Sequence, residues 1–280
     1  MEKAETVQDM RALATRLKSG KGVLSLVPTM GALHAGHEAV LRAAVAEGAP
    51  VVASIFVNPL SFGTNENFAG YPRSLDADLA LCERLGVAAV FAPSVEEIYP
   101  RGYSTYVSEE SYSKALCGIS RPSHFRGVTT LVAKLYNIIA PSRIYLGQKD
   151  AQHVAVLRKM ASDLNYSVEI SVVATVREAD GLAAAVRNRN LTPALRQEAL
   201  AIHRALVKAK EMVDSGVRST DRLVAEVTHI LGHHNRIRIV YAKLVDPDTM
   251  ETLREIVPGR TLLCIAAWVE EIRLTDNARL

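Results

Sequence analysis

The alternation of β-rich apolar runs with segments of helical periodicity most limits what this chain can fold into. Apolar runs predict strands at 23–27, 50–57, 87–91, 143–147 and 168–173. Apolar residues at helical spacing predict helices at 5–17, 38–45, 75–85, 128–139 and 151–164. Strands that alternate with helices form a parallel sheet covered on both faces, and ligands of such sheets bind at the carboxyl ends of the strands.

The pattern changes near Thr175. The later segments predict two long helices, 193–213 and 221–231, and three strands, 237–245, 261–269 and 271–274. The predicted fold class is therefore α/β. It consists of a Rossmann-like, nucleotide-binding parallel-sheet domain over residues 1–175 and a smaller C-terminal α+β lid domain over residues 176–280.

Composition excludes several function classes. A formal charge of +3 with scattered basic residues gives no concentrated basic face, so we expect no nucleic-acid partner. Three cysteines without paired or metal-like spacing favour a reducing compartment. The N-terminus does not resemble a signal peptide, and no apolar run approaches the roughly 20 residues of a membrane span. We therefore expect a cytoplasmic protein that acts on small molecules, with no membrane contact.

The most informative stretch is the first predicted strand with the Gly-rich turn and helix that follow it. Such a unit presents backbone N–H groups and a helix N-terminus to a phosphate. His34 and His37, placed in the turn, add imidazole donors at the same place. The alternatives are an ordinary loop and a zinc site, although no third ligand of suitable type lies nearby in sequence.

Three other polar segments follow or connect predicted elements. Lys149, after the strand ending at Leu146, could neutralise phosphate charge, and Asp150 could cap the next helix. Asn58 begins an ordinary turn after the second strand of the sheet. Arg187 and Asn188 lie in a short basic loop that is either an interdomain turn or a lid reaching a triphosphate. No P-loop motif is present.

Together these segments resemble the pantothenate synthetase (pantoate–β-alanine ligase) family over most of the chain. The most specific match is Pro28-Thr29-Met30-Gly31-Ala32-Leu33-His34-Ala35-Gly36-His37. Further matches, in order, are 54–59, Tyr71-Pro72-Arg73, 124–128, 147–150, 177–183 and Arg273-Leu274-Thr275-Asp276-Asn277. So many matches in order are very hard to explain by chance.

The resemblance implies a two-step reaction. ATP and a carboxylic acid give an acyl adenylate and pyrophosphate, and an amine, β-alanine in the family, then attacks to give an amide and AMP. It also implies Mg²⁺ as a companion of the phosphates and a homodimer. The implied catalytic residues are His34, His37, Lys149 and Arg187, with His37 as the proton donor and Arg187 closing over the nucleotide.

The resemblance also implies which residues bind the two substrates. The implied ATP contacts are Met30, Gly31, Gly36, Gly147, Asp150, Val176, Ala185 and Val186. The implied contacts of the acid are Asn58, Ser61, Arg121, His124 and His153.

The chain departs from the family at two clustered sets of positions. Ser61 and His153 stand where the family has glutamines of the pantoate pocket, and Ala184-Ala185-Val186 replaces Met-Ser-Ser. A site that loses hydrogen bonds to a substrate hydroxyl can lose discrimination of up to ~10⁴–10⁵.

These departures leave several hypotheses open. The chain is a pantothenate synthetase whose neighbours compensate, a paralogue that uses a different acid or amine, or a weakened or inactive enzyme. Other classes are a nucleotidyltransferase that stops at the adenylate and a non-catalytic nucleotide-binding protein.

Overall fold

A computed structural model describes residues 1–19, 22–63 and 66–280 of the 280-residue chain. The strands are β1 (Glu2–Ala4), β2 (Ser25–Thr29), β3 (Val51–Ile55), β4 (Ala89–Phe91), β5 (Arg143–Gly147), β6 (Glu169–Val173), β7 (Ile237–Val245), β8 (Leu262–Val269) and β9 (Ile272–Arg279). The α-helices are α1 (Val7–Lys18), α2 (Ala35–Ala46), α3 (Leu75–Arg84), α4 (Val95–Ile98), α5 (Cys117–Ser120), α6 (His124–Ile139), α7 (Ala151–Asp163), α8 (Pro193–Asp214) and α9 (Thr220–Gly232). Short 3₁₀ turns cover Pro59–Ser61, Tyr112–Lys114, Gln148–Asp150 and Val186–Asn190.

The described chain separates into two compact units. Unit 1 comprises 1–110, 121–148 and 156–174, and unit 2 comprises 111–120, 149–155 and 175–280. The division of the sequence into domains at 1–175 and 176–280 stays a prediction.

Unit 1 contains a six-stranded parallel sheet in the order β1-β4-β3-β2-β5-β6. Strand order reverses between β2 and β5, as in doubly wound nucleotide-binding sheets. Apolar residues from both sheet faces pack under helices; Leu26 and Phe91 belong to one cluster and Val27 and Val90 to another. The sheet is therefore buried on both sides, as its continuous apolar runs require.

Unit 2 contains an antiparallel sheet in the order β7-β8-β9. One face packs under α8 and α9 through residues such as Leu206, Val227 and Ile265. The predicted fold class, a Rossmann-like α/β sheet with a smaller C-terminal α+β part, is confirmed.

Several predicted boundaries are wrong for identifiable reasons. α2 begins at Ala35 rather than at 38, because His34 caps it. α6 begins at His124 rather than at 128, and its early glycine, Gly127, concealed the start. β9 continues to Arg279 rather than ending at 274, because pairing with β8 overrides the low β-propensity of its polar residues.

Candidate active site

The end of β2 lies at the point of unit 1 where strand order reverses. Ligands of open α/β sheets bind in the crevice at such a switch point. Met30 and Gly31 directly follow β2, and Gly147 ends the neighbouring strand β5. A Cβ atom built at Gly147 would have no heavy atom within 4 Å, so open space adjoins this backbone. The predicted nucleotide contacts at the ends of β2 and β5 thus lie on adjacent strands.

The turn after β2 is held by a buried carboxylate that sequence reasoning missed. Asp78 of α3 is 2% exposed and accepts hydrogen bonds from the backbone N–H groups of Ala32 and Leu33, both at 2.8 Å. Gly31 and Ala32 have φ angles of +77° and +50° in the left-handed region. A Cβ at Gly31 would lie 3.0 Å from the Asp78 carboxylate, so glycine suits both the backbone conformation and the close approach.

His34 and His37 form a reciprocal cap at the start of α2. The Gly36 N–H donates to His34 Nδ1 at 3.1 Å, and the His34 N–H donates to His37 Nδ1 at 3.3 Å. The half-buried rings lie with centroids 4.1 Å apart. His37 belongs to the first helical turn rather than to the preceding turn, which corrects the sequence prediction. Since both Nδ1 atoms accept, the neutral rings carry their protons on Nε2.

Hydrogen bonds within the protein occupy five backbone N–H groups that sequence reasoning offered to a phosphate. Besides the four already described, the Gly31 N–H donates to Thr29 Oγ1 at 3.2 Å. In this conformation the turn is therefore a rigid support for the two imidazoles rather than an open backbone cradle.

Four of the five residues predicted to contact the acid come together around the 3₁₀ turn Pro59–Ser61. Asn58, 1% exposed, donates to Ser61 Oγ at 2.9 Å and to the Gly127 carbonyl at 2.8 Å. The Ser61 carbonyl accepts from Arg121 Nη2 at 3.0 Å and from His124 Nδ1 at 2.8 Å. His124 therefore carries a proton on Nδ1.

The amide of Asn58 is also satisfied on its acceptor side. Its Oδ1 accepts from the Tyr99 hydroxyl at 3.0 Å and from the Leu60 N–H at 3.2 Å. Burial raises the pKa of the Tyr99 phenol, which keeps it a donor. Asn58 thus makes four hydrogen bonds inside the protein and holds the turn in place.

Arg121 and Gly127 complete the support of this turn. The Arg121 guanidinium pairs with Glu66 at 2.7 Å, whereas its buried Nε has no hydrogen-bond partner within the described ranges. Gly127 lets α6 pack directly on the turn, since a Cβ there would collide with the Leu60 carbonyl.

A cationic cleft in unit 2 brings together residues far apart in sequence. Its empty space is about 340 Å³, and it is lined by Lys149, Leu182, Ala183, Ala185, Arg187, Asn188, Ile202, Arg273, Leu274, Thr275 and Asp276. Lys149 Nζ lies 3.4 Å from Thr275 Oγ1 and 3.7 Å from the Asp150 carboxylate. Two of the predicted catalytic residues, Lys149 and Arg187, therefore share one cleft with a predicted ATP contact, Ala185.

The segment leading to Arg187 is fixed by paired charges. Arg177 binds both carboxylate oxygens of the buried Asp276, at 2.7 and 3.2 Å. The Ala184 N–H donates to the Val176 carbonyl at 2.9 Å, which brings the predicted nucleotide contacts Val176 and Ala185 near each other. Val186 is half-buried at the start of the 3₁₀ turn that carries Arg187.

Asn188 supplies both a structural contact and an unsatisfied acceptor in this cleft. Its Nδ2 donates to Glu178 Oε1 at 2.6 Å and to the Ala183 carbonyl at 2.9 Å. Its Oδ1 is buried and has no hydrogen-bond partner in the part of the chain that the structure describes. Because buried acceptors are normally satisfied, a donor group of a ligand would suit this position.

His153 and its neighbour Gln152 lie on the part of α7 that belongs to unit 2. His153 is half-buried. Gln152 is 6% exposed; it accepts from the Cys117 N–H at 3.0 Å and donates to the carbonyls of Tyr112 and Ala115 at 2.9 and 2.7 Å. Gln152 therefore anchors the 112–117 segment.

No group of three or more His, Cys, Asp or Glu residues is placed to hold a metal ion within the described ranges. The alternative of a zinc site built on His34 and His37 therefore gains no third ligand there.

Comparison with known proteins gives the family. The family model for pantoate-beta-alanine ligase matches residues 2–279. The chain belongs to the pantoate–beta-alanine ligase family. It is thus an ATP-dependent, amide-forming ligase, and the predictions of family and enzyme class are confirmed.

The ligase is similar along its whole length to curated and solved relatives. It is 46% identical over 280 residues to a pantothenate synthetase of Moorella thermoacetica, covering 100% of this chain and 99% of the relative. A pantothenate synthetase crystal structure from Thermus thermophilus is 39% identical with a TM-score of 0.94, covering 100% of this chain and 99% of that one. A Francisella tularensis pantoate-beta-alanine ligase complexed with beta-gamma ATP and beta-alanine is 28% identical with a TM-score of 0.82, covering 100% and 97%.

Sequence reasoning gave no role to two side chains of the ligase. Asp78 holds the turn after β2, and Arg273 lines the cationic cleft. Asp78 looked like one of several acidic residues in the first turn of a helix, and only burial distinguishes it from Asp76. Arg273 belongs to a quoted motif, but its position in the cleft follows from strand pairing.

Within the described ranges of the ligase, no helix is both long and apolar enough to cross a lipid bilayer.

Proposed function

We propose that the ligase activates pantoate, or a related acid, with ATP as an acyl adenylate and transfers the acyl group to β-alanine. Pyrophosphate leaves in the first step and AMP in the second. The observation that carries the proposal is the pair of capped imidazoles at the switch point of the parallel sheet. The structure of the Francisella tularensis relative, complexed with beta-gamma ATP and beta-alanine, supports the same pair of substrates.

In this proposal, His34 and His37 donate hydrogen bonds from Nε2–H to phosphate oxygens. Their capping bonds fix this tautomer, so each donor is oriented before the substrate arrives. Both rings lie at the N-terminus of α2, where the helix dipole favours negative charge. His37 donates its Nε2–H hydrogen bond to the departing pyrophosphate and stabilises the charge there without losing the proton, because a neutral ring that lost it would become an imidazolate. Met30, Gly31 and Gly36 shape the turn that adjoins the nucleotide.

The residues of unit 2 are proposed to neutralise and enclose the nucleotide. Lys149 and Arg187 offset phosphate charge, and Arg187 closes over the nucleotide. The remaining proposed ATP contacts are Gly147, Asp150, Val176, Ala185 and Val186.

Mg²⁺ is proposed to accompany the triphosphate and offset its charge. The metal usually takes one or two carboxylates and completes its coordination with phosphates and water. Asp150, with a side chain 58% exposed beside Lys149, fits that limited role. The described residues offer no larger acidic cluster, which suits an ion held mainly by the nucleotide.

The acid is proposed to bind near the turn Pro59–Ser61, with Arg121 and His124 beside it and His153 as a further contact. Ser61 favours a second candidate function in which the acid differs from pantoate. Its hydroxyl accepts from Asn58, and the residue is 5% exposed, so it offers no long amide to a substrate. A rewritten acid pocket beside phosphate residues that are mostly kept, His34, His37 and Lys149 among them, would support ligation of another carboxylic acid.

Pyrophosphate release with ATP and Mg²⁺ tests the proposal. A panel of hydroxy and keto acids, pantoate included, is assayed with and without β-alanine. Strong turnover with pantoate would exclude the second candidate. Release that never depends on an amine would favour a nucleotidyltransferase, and nucleotide binding without acid-dependent release would favour a non-catalytic protein.

A reciprocal variant tests the acid pocket. Ser61→Gln combined with His153→Gln is expected to raise pantoate turnover if these positions set the choice of acid. Unchanged turnover would remove both residues from the explanation.

The oligomeric state is proposed from the family resemblance, and the cellular location from the composition of the chain. We propose a homodimer, for which sedimentation equilibrium is the direct measurement, and a cytoplasmic location, for which cell fractionation is.

A further inference from the structure

Among the residues that the structure describes, Arg273 is a buried cation without an anionic partner. The residue lies on β9 and is 6% exposed. Its Nη2 donates to Cys117 Sγ at 3.6 Å and to Ser120 Oγ at 3.4 Å. The first acceptor is a sulfur, which accepts only weakly, and the second is a hydroxyl oxygen at long distance. In the part of the chain that the structure describes, no carboxylate oxygen lies within 4.0 Å of the guanidinium. Buried charges are normally paired, so this arrangement is incomplete.

The charge of the surrounding cleft is strongly positive. Arg273 lines it together with Lys149 and Arg187, and the one carboxylate among the described lining residues belongs to Asp276. Arg177 already binds both oxygens of that carboxylate. Three positive side chains therefore line one cleft, and Arg177 already binds the one carboxylate among the lining residues that the structure describes.

We propose that Arg273 binds a phosphate oxygen of the triphosphate or of the pyrophosphate leaving group. A polyphosphate chain presents several anionic oxygens along its length, so one ligand can contact Arg273 together with Lys149 and Arg187, which line the same cleft. The guanidinium has five N–H donors, of which those on Nη2 alone bond within the described protein, so the donors on Nε and Nη1 are open to phosphate oxygens. The inference deepens the proposed function and rests on it for the identity of the substrate.

The competing explanation is that Arg273 tethers the segment containing Cys117 and Ser120. The two explanations predict different thermal stabilities for variants of Arg273 in the absence of ligand. Replacing a tether lowers thermal stability, whereas replacing an unpaired buried charge with an apolar side chain of similar length leaves stability unchanged or raises it.

The experiment uses inorganic pyrophosphate as the probe, measured by calorimetry and by the rise in melting temperature. R273M is expected to weaken pyrophosphate binding about 10- to 100-fold, as expected for loss of charge-assisted hydrogen bonds. R273K is expected to retain part of the affinity, since it keeps the charge but not the planar set of donors. The KM for ATP is expected to rise in R273M while the KM for β-alanine stays within about twofold of the wild type.

Two controls separate the explanations. R279M removes the same side chain from an exposed position on the same face of β9, and it is expected to bind pyrophosphate like the wild type. The double variant Cys117→Ala, Ser120→Ala removes both acceptors of the tether while leaving the guanidinium, and it is expected to keep pyrophosphate affinity within about threefold.

The inference is overturned if R273M binds pyrophosphate like the wild type, or if the double variant loses as much affinity as R273M. A change confined to the KM for β-alanine also overturns it, because the anion would then be a carboxylate. Pyrophosphate binding does not require turnover. Loss of binding in R273M together with a wild type that releases no pyrophosphate would therefore sustain this inference while refuting the proposed function.

Discussion

Replacing Asp78 with Asn tests whether a buried carboxylate holds the turn that carries the two histidines. The carboxylate accepts from Ala32 and Leu33 at 2.8 Å and from the Ser74 hydroxyl at 3.2 Å. An Asn side chain keeps one acceptor oxygen, and its NH₂ group would face the second backbone donor. The variant therefore changes one polar atom while almost preserving side-chain volume.

The expected loss follows from these contacts. A hydrogen bond to a charged group contributes about 1.5–3 kcal/mol, and a buried donor left without a partner costs about 1–3 kcal/mol. An amide is easier to bury than a carboxylate, which offsets part of this cost. We expect Asp78→Asn to lower the free energy of unfolding by about 2 kcal/mol. Turnover should fall by up to about 10²-fold, since the histidines move with the turn.

The assay combines urea unfolding with two local probes. The single tryptophan, Trp268, lies in unit 2, so unfolding of unit 1 is better followed by circular dichroism. Hydrogen exchange at the Ala32 and Leu33 amides reports the lost bonds directly. Nitrogen NMR of His34 and His37 is expected to change from the Nε2–H tautomer to a mixture.

Asp76→Asn is the matched control, because it removes the same charge from an exposed position in the same helical turn. We expect its effect to lie within about 0.5 kcal/mol. If Asp78→Asn costs no more than Asp76→Asn, or if protection at Ala32 and Leu33 survives, the carboxylate does not support the turn and the reasoning fails.

Three further predictions concern other parts of the molecule. His37→Ala is expected to lower kcat far more than it weakens ATP binding, and equal losses in steady-state and binding assays would argue against a transition-state role. Gly127→Ala places a methyl group against the Leu60 carbonyl and is expected to cost about 1–3 kcal/mol in urea unfolding, whereas tolerance of alanine would show that α6 does not pack on the turn as described. Burial, reinforced by the nearby Arg177, lowers the pKa of His203 below its ordinary value of 6.5. The neutral His203 ring therefore makes its full contribution to the free energy of unfolding above pH 6.5, and this contribution is lost as the pH falls toward the folded-state pKa. Urea titrations at several pH values are expected to show less loss of stability on acidification in His203→Gln, and an identical pH dependence would exclude His203 as a contributor.

The sequence determined the architecture of the parallel sheet and much of the candidate chemistry. Apolar strands alternating with amphipathic helices predict a parallel sheet because only such a sheet buries both faces of each strand. The positions of His34 and Lys149 directly after strands likewise follow from local order along the chain. These signals involve few residues and short separations, which is why they can be read without a structure.

Only the tertiary structure decided which polar groups are already used and which are left for a ligand. Sequence reasoning assigned Asn58 to the acid, which stays a prediction, and only the structure shows that its amide makes four bonds inside the protein. It offered the backbone of the turn after β2 to phosphate, yet Asp78, from a helix more than 40 residues away, takes two of those donors. It left Arg273 without a role, whereas strand pairing buries that cation in the cleft with Lys149. Hydrogen-bond capacity and burial depend on contacts between distant segments, and a local sequence pattern does not contain those contacts.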